Sequence, residues 1–183
     1  MTEHPAITAT RRWLEHFVIA YDICPFARRE HQRGSIRYRL VAGNSLEFAL
    51  ETLISECLHL DAEPETETTL LIFNEDFQNF DDFLDLLAIA EQLLSDQDYE
   101  GIYQLASFHP DYCFDRVDAE DAANYTNRAP FPMLHLIREA SIAAALAHYA
   151  HPETIPERNI ALTRRMGVEK LRDILAGCFQ DLE

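Results

Sequence analysis

Glycine and lysine are scarce in this chain, and their scarcity removes several kinds of chemistry at once. Only 5 glycines occur in 183 residues. None sits in a G-x-G-x-x-G or G-x-S-x-G arrangement, so neither a dinucleotide-binding turn nor a hydrolase nucleophile elbow is present. Of the 15 basic residues, Lys170 is the single lysine. No lysine follows a glycine-rich turn, which excludes a P-loop, and Schiff-base chemistry would rest on Lys170 alone, in a helical pattern without a pocket. The 4 cysteines stand at positions 24, 57, 113 and 178, with no C-x-x-C and no zinc-finger spacing. No basic segment followed by an apolar run opens the chain, and the longest apolar stretch, near Ser141–Ala150, is too short to cross a bilayer. The expectation is a cytosolic protein with reduced thiols.

The charge is large and uneven. The net charge is −17 and the pI about 4.7, which argues against a protein that binds nucleic acid by neutralising phosphates or that is held on anionic membrane. Residues 1–46 carry net +3, residues 47–122 net −20 with Arg116 as the only base, and residues 123–183 net 0. Such a middle segment reads as helices with solvated acidic faces. Hydrophobic residues at 48% and charged residues at 26% describe an ordinary globular chain. At this length roughly 70% of the unfolded surface is buried on folding, so one domain spanning residues 1–183 needs no disulfide or metal to fold.

Periodicity orders the elements. Residues 6–21 place Ile7, Trp13, Leu14, Phe17, Val18 and Tyr21 at helical spacing, and Cys24-Pro25 breaks that helix. Residues 35–42 alternate, with Ile36, Tyr38 and Leu40 opposite Arg37 and Arg39, as a half-exposed strand does. Asn44-Ser45-Leu46-Glu47 opens a helix with a capping signal, its apolar stripe being Ala49, Leu50, Leu53, Ile54, Cys57 and Leu58. Thr69–Phe73 reads as a buried strand, Asp81–Ser95 as a helix and Ile102–Phe108 as a third strand. The expected fold is α/β, a small mainly parallel sheet of three or four strands in β-α-β-α-β order with an N-terminal helix. Residues 109–131 form a long loop in which Tyr112–Phe114 is able to pair briefly. Pro132 then opens a helix to about His148, and residues 157–180 are helical with an interruption near Met166-Gly167, making 132–183 a helical C-terminal part.

Ligands of open α/β sheets bind beyond the carboxyl ends of the strands. Those ends are Gly43-Asn44, Asn74-Glu75-Asp76 and His109-Pro110-Asp111, and polar side chains are dense from 109 to 139. Glu75 and Asp76 suit acid–base work, although turn roles are commoner there. Three strings in the chain, Cys24-Pro25-Phe26-Ala27, Tyr103–Pro110 (YQLASFHP) and Asn124–Glu139 (NYTNRAPFPMLHLIRE), together resemble a bacterial family of uncharacterised proteins that carries only a domain-of-unknown-function label. The resemblance spans nearly the whole chain and implies no mechanism.

The residues themselves supply three functional readings. The first is a cytosolic enzyme acting on a small anionic molecule, with His109 and Asp111 as acid–base groups and Asn124, Asn127, Arg128 and Arg138 holding the anion. If His135 and Glu139 share a helix face, they and His109 make two histidines and a carboxylate, a set suited to iron or zinc. The second is a thiol-dependent enzyme or redox sensor using Cys24, whose pKa a helix N-terminus and nearby arginines would lower. The third is a non-catalytic acidic interaction protein that binds a basic partner.

Overall fold

The computed structural model describes residues 3–43, 45–147 and 149–182. Helix α1 (Pro5–Trp13) starts with a proline at its first turn and continues as a wider π-helical segment through Leu14–Ile19. A short helix α2 (Ala27–Arg33) stops at Gly34, which takes the left-handed conformation at φ +67°. Strand β1 (Ile36–Leu40) and helix α3 (Leu46–Ala62) follow, the helix capped by Ser45 Oγ accepting from the Phe48 amide at 3.2 Å. Strand β2 (Thr68–Ile72), helix α4 (Phe80–Asp96) and strand β3 (Tyr103–Phe108) come next. Asn79 caps α4 by accepting from Asp81 and Asp82 amides. A 3-10 turn (Ala122–Thr126) lies within the long loop; strand β4 (Met133–Arg138) and helices α5 (Glu139–Leu146), α6 (Ile155–Met166) and α7 (Val168–Gly177) complete the order.

The sheet order is β1-β2-β4-β3. β1 and β2 are parallel, while β4 runs antiparallel to both β2 and β3. Two corrections follow. The sheet is mostly antiparallel, not mainly parallel, and the segment from Pro132, expected as one helix, is a strand followed by a short helix. The expected β-α-β-α-β order is corrected with it, since a fourth strand, last in the chain, is inserted between β2 and β3. The cause is tertiary. Met133–Arg138 pairs with β2 on one side and β3 on the other, so its backbone groups are satisfied by two strands distant in sequence. Tyr112–Phe114 is not a strand. Asn44 and His148, at the start of one expected helix and the end of another, lie outside the described residues.

Both faces of the sheet are covered, giving helix, sheet and helix layers. On one face Leu70, Ile72 and Met133 pack with Trp13, Phe17 and Leu171. On the other, Leu71, Leu134 and Leu136 pack with Leu53 of α3 and Phe83 and Leu86 of α4. The C-terminal helices are tied to the first turn after the N-terminal helix: Asn159 Nδ2 donates to the Ile23 carbonyl at 2.7 Å, and Arg158 pairs with Asp22.

Candidate functional site

The polar residues of the 109–131 loop converge, but on one another. His109 is fully buried at the end of β3, between the rings of Phe80 and Phe83 at 5.2 and 5.3 Å. Its Nδ1 accepts from the Asp111 amide at 3.0 Å. That bond requires an unprotonated Nδ1, so Nε2 carries the proton and donates to the Phe77 carbonyl at 3.0 Å. Burial holds the pKa of His109 below its ordinary value. Phe77 itself takes a left-handed φ of +57°, an uncommon conformation for an aromatic residue, and the His109 bond helps to hold it. Asp111 contributes its backbone to this contact, and its side chain is exposed.

The expected anion-binding groups are spent on the same loop. Asn124, fully buried, accepts from the Phe114 amide at 3.0 Å and donates to the Asp118 carbonyl at 2.8 Å. Asn127 Nδ2 donates to the Ser107 carbonyl, and the Asn127 carbonyl accepts from the His109 amide. Arg128 donates to the carbonyls of Tyr112 and Ala119 at 3.0 and 2.8 Å and lies over the Tyr125 ring. The narrow void beside Arg128, walled by Phe17, Leu171 and Leu175, has no room for a water molecule. Arg138 donates to the Leu60 and Thr66 carbonyls and to the Tyr103 hydroxyl, which ties β4 to the C-terminal end of α3.

The expected metal set is not assembled. His135 lies in β4, opposite Leu70 on the sheet face that carries α1, whereas His109 packs with α4 on the other face. Glu139 opens α5 and shares no helix face with His135. Four strand residues also separate their Cα atoms by roughly 13 Å. Among the described residues no group of three or more His, Cys, Asp or Glu side chains is placed to share a metal ion. Cys24 is likewise different from its expectation. It does not cap α2, which starts at Ala27 behind Phe26 without a side-chain cap. Burial raises its thiol pKa and outweighs the Phe26 and Ala27 backbone amides, which act to lower it, with Asp22 adding a smaller rise. Iodoacetamide should therefore modify Cys24 in the folded protein at least roughly tenfold more slowly than in urea. Peptide mapping by mass spectrometry measures both rates, and equal rates would restore the reactive-thiol reading.

Two polar constellations escaped the sequence reading. Glu56 of α3 is 2% exposed; it receives two hydrogen bonds from Arg37, at 2.7 and 3.2 Å, one from Thr69, and an ion pair from Arg39. The signal was present: Glu56 falls between Leu53 and Leu60 on the buried stripe of α3, where an acid needs a partner, and the two arginines of β1 alternate to meet it. Leu58, expected on that stripe, is 58% exposed instead. The second constellation is Asp61, which accepts from the hydroxyls of Tyr99 and Tyr103 at 3.1 and 2.7 Å.

What remains open to solvent is acidic. The exposed acids of α3 and α4, such as Glu47, Glu51, Asp81, Asp85 and Glu91, have no ion-pair partner among the described residues. The arginines elsewhere are largely engaged with local acids or backbone carbonyls. At one margin of this acidic layer a groove of about 190 Å³ runs between α4 and β3. Tyr103, Gln104 and Leu105 form its floor with Leu94 and Ser95, and Glu91, Glu100 and Glu139 rim it.

Residues 5–173 match the family described as "Protein of unknown function (DUF1415)". The chain belongs to that family. The match covers nearly all of it and contains the loop staples, the Glu56 pair and the acidic groove alike. No curated protein matches the chain, and no solved structure does. For this DUF1415 member the functional reading therefore rests on its own geometry. No described helix is long and apolar enough to cross a membrane.

Proposed function

We propose that this DUF1415 chain is an interaction module that binds a basic macromolecular partner through the acidic layer of α3 and α4. The observation that carries this reading is that layer's unneutralised charge: α3 and α4 carry nine acids and no lysine or arginine, and among the described residues Glu56 is the one of them with an ion-pair partner, satisfied inside the protein. Unpaired like charges on one side cost stability through self-repulsion, and a partner of opposite sign relieves that repulsion. Binding a small anion is the weaker reading, because Asn124, Asn127, Arg128 and Arg138 already donate to backbone carbonyls. Any anion they bound would have to repay those bonds.

The test is fluorescence anisotropy with a labelled lysine-rich peptide across a salt series. Affinity should fall steeply as salt rises. A variant with Glu51→Gln, Glu63→Gln and Asp85→Asn should bind roughly tenfold more weakly, since each removed charge contributes a fraction of a kcal/mol at an exposed site. A control with Glu157→Gln, Glu169→Gln and Asp173→Asn, in the C-terminal helices, should bind as the parent does. Equal loss in the two variants would reduce the effect to net charge and overturn the assignment to α3 and α4.

A further inference from the structure

Strand β3 is an edge of the sheet, paired only with β4. Its register places Ile102 opposite Glu139, and the Glu139 amide donates to the Ile102 carbonyl at 3.0 Å. In an antiparallel ladder that pairing points the N–H and C=O groups of the even residues toward β4 and those of Tyr103, Leu105 and Ser107 outward. The ends of this outward row are closed by the protein itself. The Tyr103 amide donates to the Tyr99 carbonyl, and the Ser107 carbonyl accepts from Asn127 Nδ2. Between the closed ends, the Tyr103 carbonyl, both backbone groups of Leu105 and the Ser107 amide have no partner among the described residues. The acidic groove of about 190 Å³ flanks the first part of this window, at Tyr103–Leu105.

We infer that β3 is the docking strand for a basic extended segment of a partner protein, which adds to the sheet at Tyr103–Ser107 and places its alternate basic side chains against Glu91, Glu100 and Glu139. This rests on the acidic-layer reading and gives it a location and a mode. An added strand supplies the four missing backbone hydrogen bonds, and the pocket beside the strand selects its side chains. Charge decides the occupant. A second copy pairing β3 against β3 would bring two acidic rims together, and like charges across a strand pair are destabilising. A basic strand meets opposite charge at the same positions. The edge is also short and closed at both ends by Tyr99 and Asn127, which limits continued growth of the sheet.

The experiment uses the full chain and two labelled synthetic peptides that alternate arginine and valine, identical except that one is N-methylated at alternate amides. Anisotropy reads affinity, amide hydrogen exchange reads the Leu105 and Ser107 amides, and sedimentation reads self-association. The unmodified peptide should bind, should slow exchange at Leu105 and Ser107 at least roughly tenfold, and should outbind the N-methylated peptide by roughly tenfold, because methylation deletes ladder donors without changing charge. The combined Glu91→Gln, Glu100→Gln and Glu139→Gln variant should lose binding while retaining the exchange protection of Gln104 and Ala106 by β4. Equal binding of the two peptides, or unchanged exchange at Leu105, would overturn edge docking while leaving the acidic-layer reading intact. No binding of either peptide would also overturn edge docking; the lysine-rich titration then decides the broader reading separately. Self-association that protects Leu105 without peptide would assign the edge to a second copy and overturn the proposal.

Discussion

Replacing Asn124 by alanine should lower the unfolding free energy by roughly 3 kcal/mol, because it empties a fully buried site and removes the side chain that bridges Phe114 to the Asp118–Ala119 turn across the loop. The side chain is fully buried and works as a double clamp. Its oxygen takes the Phe114 amide, and its nitrogen serves the Asp118 and Ala119 carbonyls. Alanine takes the side-chain partner from the Phe114 amide and the Asp118 carbonyl, while the Ala119 carbonyl keeps Arg128. Aspartate is no remedy, since it keeps the acceptor for Phe114 and turns a second acceptor against the two carbonyls. Urea unfolding should show a lower midpoint with an unchanged slope. Asp111→Ala is the contrasting case: the exposed side chain is removed while the backbone donor to His109 stays, and the change should be within about 0.5 kcal/mol. An Asn124→Ala protein as stable as the parent would show that the loop is held elsewhere.

Stability should also fall as the pH drops from about 6.5 to about 4, with His135 as the main titrating group. Thr68 Oγ1 donates its one proton to the Leu136 carbonyl, so it accepts from Nε2–H of His135 at 2.6 Å. Nε2 donates in the neutral and the protonated ring alike, so the protonation state is set by burial, which disfavours the charged form and lowers the pKa from 6.5 to about 4. The unfolded chain takes up the proton near pH 6.5 and the folded chain only near pH 4. Within that window the unfolded state binds more protons, so stability declines as pH falls, and below it the loss is complete. The loss amounts to at most roughly 3 kcal/mol, because part of the residue keeps contact with water. His109, lowered by burial as well, acts in the same direction. Protonation of surface carboxylates acts in the opposite direction by relieving the net −17. The difference between the parent and His135→Gln cancels that contribution, since glutamine donates to Thr68 and does not titrate. Urea midpoints measured from pH 7 to pH 4 should converge for the two proteins at the acid end. Parallel profiles would remove His135 from the account.

Local pattern made most helices and three strands legible. Trp13, Leu14 and Phe17 repeat at a helical period, Arg37 and Arg39 alternate with apolar neighbours, and Ser45 caps α3 through a contact spanning three residues. The interruption at Gly167 between α6 and α7 was equally readable, because glycine is a poor helix former and here takes a φ of +81° that other residues rarely adopt. The family relationship was readable too, since it is carried by strings of residues. So was the unevenness of charge, which needs no coordinates and which the proposed function uses directly.

Tertiary structure decided the rest. Met133–Arg138 has no alternation to betray a strand, because a central strand is buried on both faces, and Pro132 suits the start of a helix as well as that of a strand. Its pairing with β2 and β3, both distant in sequence, selects the strand. The error then carried His135 and Glu139 onto a shared helix face that does not exist. The roles of Asn124, Asn127, Arg128 and Arg138 were hidden for a different reason. An amide or guanidinium that holds an anion and one that holds a carbonyl carry the same donors, and the choice is made by which acceptors the fold brings within hydrogen-bond distance. The open backbone window of β3 lies furthest from sequence, since it depends on which strand is left at the edge, and strand order is set by long-range pairing that no local spacing encodes.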